Sequence, residues 1–313
     1  MKLTFWGVRG SIPTPGKSTI EYGGNTTCME VRSKQGDIYI VDAGSGIREL
    51  GNTLMSEFRG KVKANLFITH DHWDHIHGFP FFTPAYVPGC EIKVYSGDKN
   101  LAKKIKRGTL EDIASGDTEV FTKEERTNHT KDTFAGQQDV NRGYFPITID
   151  QMGSRLSFND LKQYELLING LNVSYMVHSA HPGGMFSYQM SEYGKRIVFA
   201  GDYEHDGKDY GNFGENDQSM IAWARNADAL VIDAQYTPEE YEKKKGWGHS
   251  QIERICELAA AANVEKVYIT HHDPVHTDEI LKTMETRAQN YMRNTLHSEI
   301  PIYFAREGMS VEV

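Results

Sequence analysis

Four histidines and two aspartates fall within eight consecutive positions of ITHDHWDHIHGF, residues 68–79, directly after a short apolar run. A spacing of two lets His70 and His72 project in the same direction from an extended strand end, and Asp74 and His75 then come around the turn. Imidazole nitrogen with carboxylate oxygen is the donor set that zinc, manganese and iron accept, and both groups bind in their deprotonated forms. Without an ion, the clustered imidazoles would repel one another in mildly acidic solution. A merely solvated histidine-rich turn would be expected in a polar tract, whereas this cluster lies against apolar sequence. Three further candidates each follow an apolar β-type run: His181 after NVSYMVHS, Asp202 after RIVFAG and His271 after KVYIT. Loops at one edge of a sheet converge at such places, although a lone histidine at a strand end is more often structural.

The elements that must position these side chains read as two series. KLTFWG, TCMEVRS, IYIVDAG, NLFITH and EIKVYSG have the pattern of strands, with an amphipathic helix over residues 45–58 among them. NVSYMVHS, MFSYQMS, RIVFAG and ALVIDAQ follow as strands, with helices over 217–226, 237–245, 250–262 and 277–297. Thr237-Pro238-Glu239-Glu240 and Ser250-Gln251-Ile252-Glu253 both fit a capping box, in which a hydroxyl and a glutamate three residues on satisfy each other's backbone N–H groups. No proline-, glycine- or serine-rich linker separates the series, so residues 1–313 read as a single layered α/β domain. Residues 108–142 interrupt it. They are polar and glycine-punctuated, and predict an insertion with little share in the core, serving as a lid or a dimer-contact arm.

Bulk properties narrow the function. With 34 basic and 43 acidic residues the net charge is −9, which lacks the overall basicity of a nucleic-acid binder. The three cysteines, Cys28, Cys90 and Cys256, are widely spaced and never form a CxxC pair, arguing against a disulfide framework or a thiolate zinc knot. No stretch has the apolar length needed to cross a bilayer, and no apolar h-region precedes Arg9, so the expected location is the cytoplasm.

The order HxHxDH (His70, His72, Asp74, His75), then His181, Asp202 and His271, resembles the metallo-β-lactamase superfamily over nearly the whole chain. The resemblance implies an αββα four-layer sandwich of two related halves with a dinuclear site at one sheet edge. It assigns His70, His72 and His181 to one divalent ion, Asp74, His75 and His271 to the other, and Asp202 to both. Zinc is the expected ion, with manganese or iron(II) compatible. Within the superfamily, GWGHS resembles the branch of ribonuclease Z and the cyclic-nucleotide and phosphoribosyl cyclic phosphate phosphodiesterases. There, His249 would contact the phosphate and protonate the leaving oxygen, with Asp233 of IDAQY orienting it. His249 is placed just before the Ser250 cap, where free helix N–H groups would favour an anion. FWGVRGSIPTPG, YGGNTTCMEV, IVDAG and YFPITI resemble the same phosphodiesterase group, although its cysteine-rich structural zinc segment is lacking.

The implied activity is hydrolysis of a small cyclic phosphodiester such as a cyclic nucleotide, by a hydroxide shared between the ions, with Asp74 taking a proton from the attacking water. Alternatives are a ribonuclease Z-like RNA endonuclease, disfavoured by the acidic charge and the lack of a glycine- and proline-rich arm, and a non-catalytic metal-binding sensor. Lactone or thioester hydrolysis stands further off. The expected partner is a small phosphodiester rather than nucleic acid or membrane, and a homodimer is possible. Asp42, His178, Glu204 and His272 are candidates for orienting ligand histidines, with ordinary structural bonding as the alternative. His77 and Asp71 read as bystanders, Arg9 and Asn25 as turn stabilisers with substrate contact as the alternative, and the pairs Phe5-Trp6 and Phe81-Phe82 as core rather than base-stacking platforms.

Overall fold

Alternating side chains along the central strands sort into separate clusters, and that alternation defines the layers. In IYIV, Tyr39 and Val41 join one buried cluster while Ile38 and Ile40 join another; in RIVFAG, Ile197 and Phe199 part from Val198 and Ala200 in the same way. Strands buried on both faces must lie inside a stack, with a sheet on one side and helices on the other. The computed structural model describes residues 1–97, 129–143, 145–162, 164–208 and 211–313.

The first sheet runs, in spatial order, β14 (Ser310–Glu312), β1 (Lys2–Gly7), β2 (Cys28–Arg32), β3 (Ile38–Val41), β4 (Lys63–Phe67), β5 (Glu91–Ser96) and β6 (Arg155–Asp160). The second runs β13 (Ile302–Phe304), β12 (Val267–Thr270), β11 (Ala229–Asp233), β10 (Lys195–Gly201), β9 (Met185–Glu192), β8 (Leu171–His178) and β7 (Glu165–Ile168). Pairings are antiparallel from β14 to β3 in the first sheet and from β7 to β10 in the second, and parallel from β3 to β6 and from β10 to β13, so the two halves repeat one pattern. Leu3, Phe5, Val31, Phe67, Tyr188, Phe199 and Val231 fill the space between the sheets. The expected αββα sandwich is present.

Helix α1 (Ile47–Glu57) covers the outer face of the first sheet because Ile47, Leu50, Gly51 and Leu54 recur at helical spacing and are buried. On the second sheet, α4 (Glu215–Ala224), α6 (Ile252–Ala262) and α7 (Asp278–Asn294) pack Met220, Ile255, Leu258 and Met284 against Val198, Leu230 and Ile269. Two short helices complete the inventory used below, α2 (Trp73–Ile76) and α5 (Pro238–Tyr241). The capping box at Thr237 forms as expected. The one at Ser250 does not. Gln251 caps α6, its side chain accepting from the N–H groups of Glu253 and Arg254, while the Ser250 hydroxyl donates to the Tyr203 carbonyl and accepts from the His205 N–H.

The insertion also differs from expectation. Its residues 108–128 lie outside the described residues, but His129–Gln137 form helix α3. Phe134 on that helix is 1% exposed and meets Phe79 edge-on at 4.5 Å between ring centroids, inside the core beneath α1. Asp160 of β6 caps the helix by accepting from the His129 and Thr130 N–H groups at 3.2 and 3.0 Å. Phe81, expected in the core with Phe82, is instead 56% exposed.

Buried neutral histidines give the fold a pH limit. Burial pushes His178 down to about 4, and burial with nearby Arg254 pushes His205 down to about 3. The unfolded chain takes up these protons near pH 6.5 and the folded chain does not, so stability falls as pH drops from about 6.5 towards 4. Each group contributes a slope of about 1.4 kcal/mol per pH unit in that window. Denaturant titrations of His205→Gln should show that much less slope than the unaltered protein; identical slopes would show that His205 carries no such load.

Candidate active site

Most of the chemistry-bearing side chains follow the carboxyl ends of strands with a parallel neighbour, and His181 follows β8, whose neighbours are both antiparallel. Asp42 follows β3, His70 follows β4, Asp202 follows β10, Asp233 ends β11 and His271 follows β12. His72 precedes α2, on which Asp74 and His75 sit. His181 follows the end of β8. Sheet and helix packing thus fixes residues scattered over some 200 positions within one small volume.

The seven sequence-singled residues meet. Donor atoms of His70, His72 and His181 lie within 4.8 Å of one another, as do those of Asp74, His75, Asp202 and His271. In the second group, Asp202 Oδ2 is 3.2 Å from both His75 Nε2 and His271 Nε2, which are 3.4 Å apart, and Asp74 Oδ2 is 3.0 Å from His271 Nε2. Four ligands at about 2.0–2.1 Å around a tetrahedral ion would be separated by about 3.3 Å. In the first group, His72 Nδ1 and His181 Nε2 are 3.0 Å apart, and Asp202 Oδ2 lies 3.6 Å from His70 Nε2. His70 Nε2 is buried with no hydrogen-bond partner, 3.6 Å from the Asp202 carboxylate. These residues therefore fit a pair of divalent ions.

The surroundings turn the correct nitrogen inward. His75 Nδ1 donates to Asp42 Oδ2 at 2.8 Å, freeing Nε2, and Asp42 is itself held by the Thr69 N–H at 2.8 Å. His181 Nδ1 donates to the Gly248 carbonyl at 3.0 Å. Asp74 Oδ2 also accepts the Ser11 N–H at 2.7 Å, so the N-terminal loop reaches the site. Burial opposes ionisation throughout, but Asp202, Asp74 and Asp42 hold His75 well above the ordinary imidazole range, and Asp202 with Asp74 raises His271 to about 9. The same histidines keep Asp202 and Asp74 well below the carboxylate range against the effect of burial. An ion taken up here must displace those imidazole protons.

His249, 8% exposed, donates from Nδ1 to Asp233 Oδ2 at 2.7 Å, and its ring lies 4.7 Å from that of His271 and 5.5 Å from that of His181. Burial raises Asp233, with His249 and His271 opposing it. Because α6 starts at Ile252 and Gln251 occupies its first N–H groups, His249 does not sit at an open helix terminus as expected. The loop before it is clamped by Glu204, which accepts from the Gly246 and Gly248 N–H groups at 2.6 and 2.8 Å and from the Tyr241 hydroxyl at 2.9 Å.

Of the other candidates, Asp42 alone orients a ligand-type histidine. His178 bonds Ser187, and His272 bonds the Ala305 carbonyl. Arg9 is fully buried and donates to the Gly23, Asp273 and His276 carbonyls, and Asn25 bonds Glu307 and Ser45, which makes both of them structural. His77 bonds the Trp73 carbonyl and Asp71 accepts from Thr133. Glu204, a candidate for orienting a histidine, instead holds the backbone of the loop before His249, while Thr69 and Ser11 were missed, since their partners are residues that only the fold brings near. Two glycines were missed as well. A Cβ on Gly10 would lie 2.3 Å from the His271 ring, and one on Gly248, where φ is +94°, 2.2 Å from His181 Nδ1. Gly248→Ala should therefore turn His181 away and weaken metal retention by roughly 10- to 100-fold, read by competition with a chromogenic chelator; unaltered retention would show that the loop yields freely.

A family model described as the β-lactamase superfamily domain matches residues 39–272, and the chain belongs to that superfamily. It is a hydrolase of the branch that includes ribonuclease Z and phosphodiesterases. Ribonuclease BN of Proteus mirabilis is 24% identical over 316 residues, covering 93% of this chain and 96% of its own. Among solved structures, the short form of human tRNase Z aligns with a TM-score of 0.56 at 20% identity, over 100% of this chain and 99% of that one. Unliganded yeast PDE1 aligns with a TM-score of 0.63 at 11% identity, over 100% and 99% of the two chains. The fold and the histidine–aspartate clusters together imply divalent metal ions. Among the described residues, no helix is long and apolar enough to cross a membrane.

Proposed function

We propose that this hydrolase opens a small cyclic phosphodiester such as a cyclic nucleotide. The observation that carries the reading is the buried His249–Asp233 pair, 2.7 Å apart, beside the two donor groups. With Nδ1 committed to Asp233, Nε2 is the nitrogen left to protonate a departing sugar oxygen, and the carboxylate fixes the ring's tautomer and angle. His70, His72 and His181 would hold one ion, Asp74, His75 and His271 the other, and Asp202 both. Zinc suits these donors, with manganese and iron(II) compatible. When bound, the ions would supply ionised water at neutral pH and offset charge growing on the phosphate oxygens. Asp74, whose Oδ2 accepts the Ser11 N–H, would take the proton of the attacking water. The cytoplasm suits the three cysteines, which are free and buried.

A ribonuclease Z-like endonuclease is the second reading, favoured by a relative named ribonuclease BN that aligns along almost the full length of both chains. Metal analysis of purified protein, coupled to turnover of cyclic nucleotides and precursor transfer RNA, separates the two. Cleavage of cyclic nucleotides with shallow salt dependence supports the first. Precursor processing that weakens steeply between 50 and 200 mM salt would replace it with the second. Two bound ions without turnover of bis(p-nitrophenyl) phosphate would leave a metal-binding sensor.

A further inference from the structure

The chain has four tryptophans, and two of them are exposed, Trp73 by 81% and Trp247 by 62%. A large aromatic ring left in water is costly unless it has an occupant, and tryptophan is concentrated at recognition sites for that reason. Both exposed rings sit beside the chemistry. Trp73 lies between His72 and Asp74 at the start of α2, and Trp247 is two residues before His249. Their backbones are tied through the site itself, since His72 meets His181 at 3.0 Å and His181 donates to the carbonyl of Gly248 at 3.0 Å. Ile12, next to the Ser11 that braces Asp74, is exposed as well. Exposed Lys243 precedes Trp247, while the Lys245 ammonium is paired with Glu242 at 2.8 Å.

We propose that Trp73 and Trp247 form a stacking rim for a nucleobase, making the substrate a base-bearing phosphodiester rather than a bare sugar phosphate. This rests on the phosphodiesterase reading and narrows its substrate class. The phosphate would sit among His70, His72, His181 and His249, and the base would project outward towards the two exposed rings. Stacking on a tryptophan is tolerant of base identity, so the rim selects for a base without choosing among bases. A cyclic nucleotide and a single-stranded RNA end share this chemistry.

The test uses the metal-loaded protein. For Trp73→Ala and Trp247→Ala, kcat/KM on adenosine 2′,3′- or 3′,5′-cyclic monophosphate should fall roughly ten-fold or more beyond its fall on a methyl riboside 2,3-cyclic phosphate. The phenylalanine variants should restore most of the difference. Independently of turnover, adenosine 5′-monophosphate should quench tryptophan emission and ribose 5-phosphate should not. Equal losses on both diesters, or no quenching by the nucleotide, would overturn the rim; so would alanine variants that convert a dimer to monomers, since the rings would then face a second copy. If the unaltered protein cleaves neither diester, the phosphodiesterase reading fails, and the quenching comparison alone still decides the rim. The same variants assayed on precursor transfer RNA assign the base to a nucleotide or to an RNA end, according to which substrate loses more.

Discussion

His249→Ala is expected to keep both ions and to lower kcat a hundred- to ten-thousandfold on an alkyl phosphodiester, the range for removal of a positioned acid. His249 also has a ring nitrogen within 4.8 Å of donor atoms of His181 and Asp202, but it stands outside the groups of three and four residues assigned to the ions and its Nδ1 is bonded to Asp233, so metal content should not follow activity. The leaving group supplies the diagnostic. A sugar alkoxide needs a proton as it departs, whereas p-nitrophenolate does not, so the variant should lose far less on bis(p-nitrophenyl) phosphate. Equal loss on both would mean that His249 positions phosphate without donating, and undiminished turnover would remove it from the mechanism. Asp233→Asn should reproduce part of the defect and add little to His249→Ala, since the two act as one unit.

The second large effect concerns Asp202. Its Oδ2 lies 3.6, 3.2 and 3.2 Å from the Nε2 atoms of His70, His75 and His271, so one oxygen serves both donor groups. Asp202→Ala should reduce bound metal from two ions to one or none per chain and lower turnover on the order of a thousandfold or more. It would also leave buried, positively charged His75 and His271 short of a counter-charge, a loss of about 3–5 kcal/mol typical of breaking a buried pair. Elemental analysis and thermal melts with and without added zinc check both. Two retained ions with turnover within ten-fold of the unaltered protein would refute the shared-ligand role.

The seven clustered residues were legible because their types at strand ends are a signal in themselves, and the strands that carry them alternate strongly. What the sequence concealed has a common physical cause. Ser250 fits a cap by local pattern, but its hydroxyl is committed to Tyr203 and His205, 47 and 45 positions away, and the neighbouring Gln251 takes the role. Helix α3 has one deeply buried aromatic, Phe134, and draws its cap from Asp160, 30 residues further on, so no local stripe announces it. Strands β13 and β14 have three residues each, too few for alternation to register, and β6 and β7 carry no fully buried side chain. The Ser11 and Glu204 contacts join segments that only the closed sandwich brings together.

The donors are divided between the halves: His70, His72, Asp74 and His75 come from loops of the first sheet, and His181, Asp202 and His271 from loops of the second. Ions bound there act as a clasp across the seam, and their affinity adds to the cohesion of the sandwich by mass action. Chelation should therefore loosen the open edge first, visible as faster amide exchange at the ends of β4, β10 and β12 while the buried middle of each sheet stays protected.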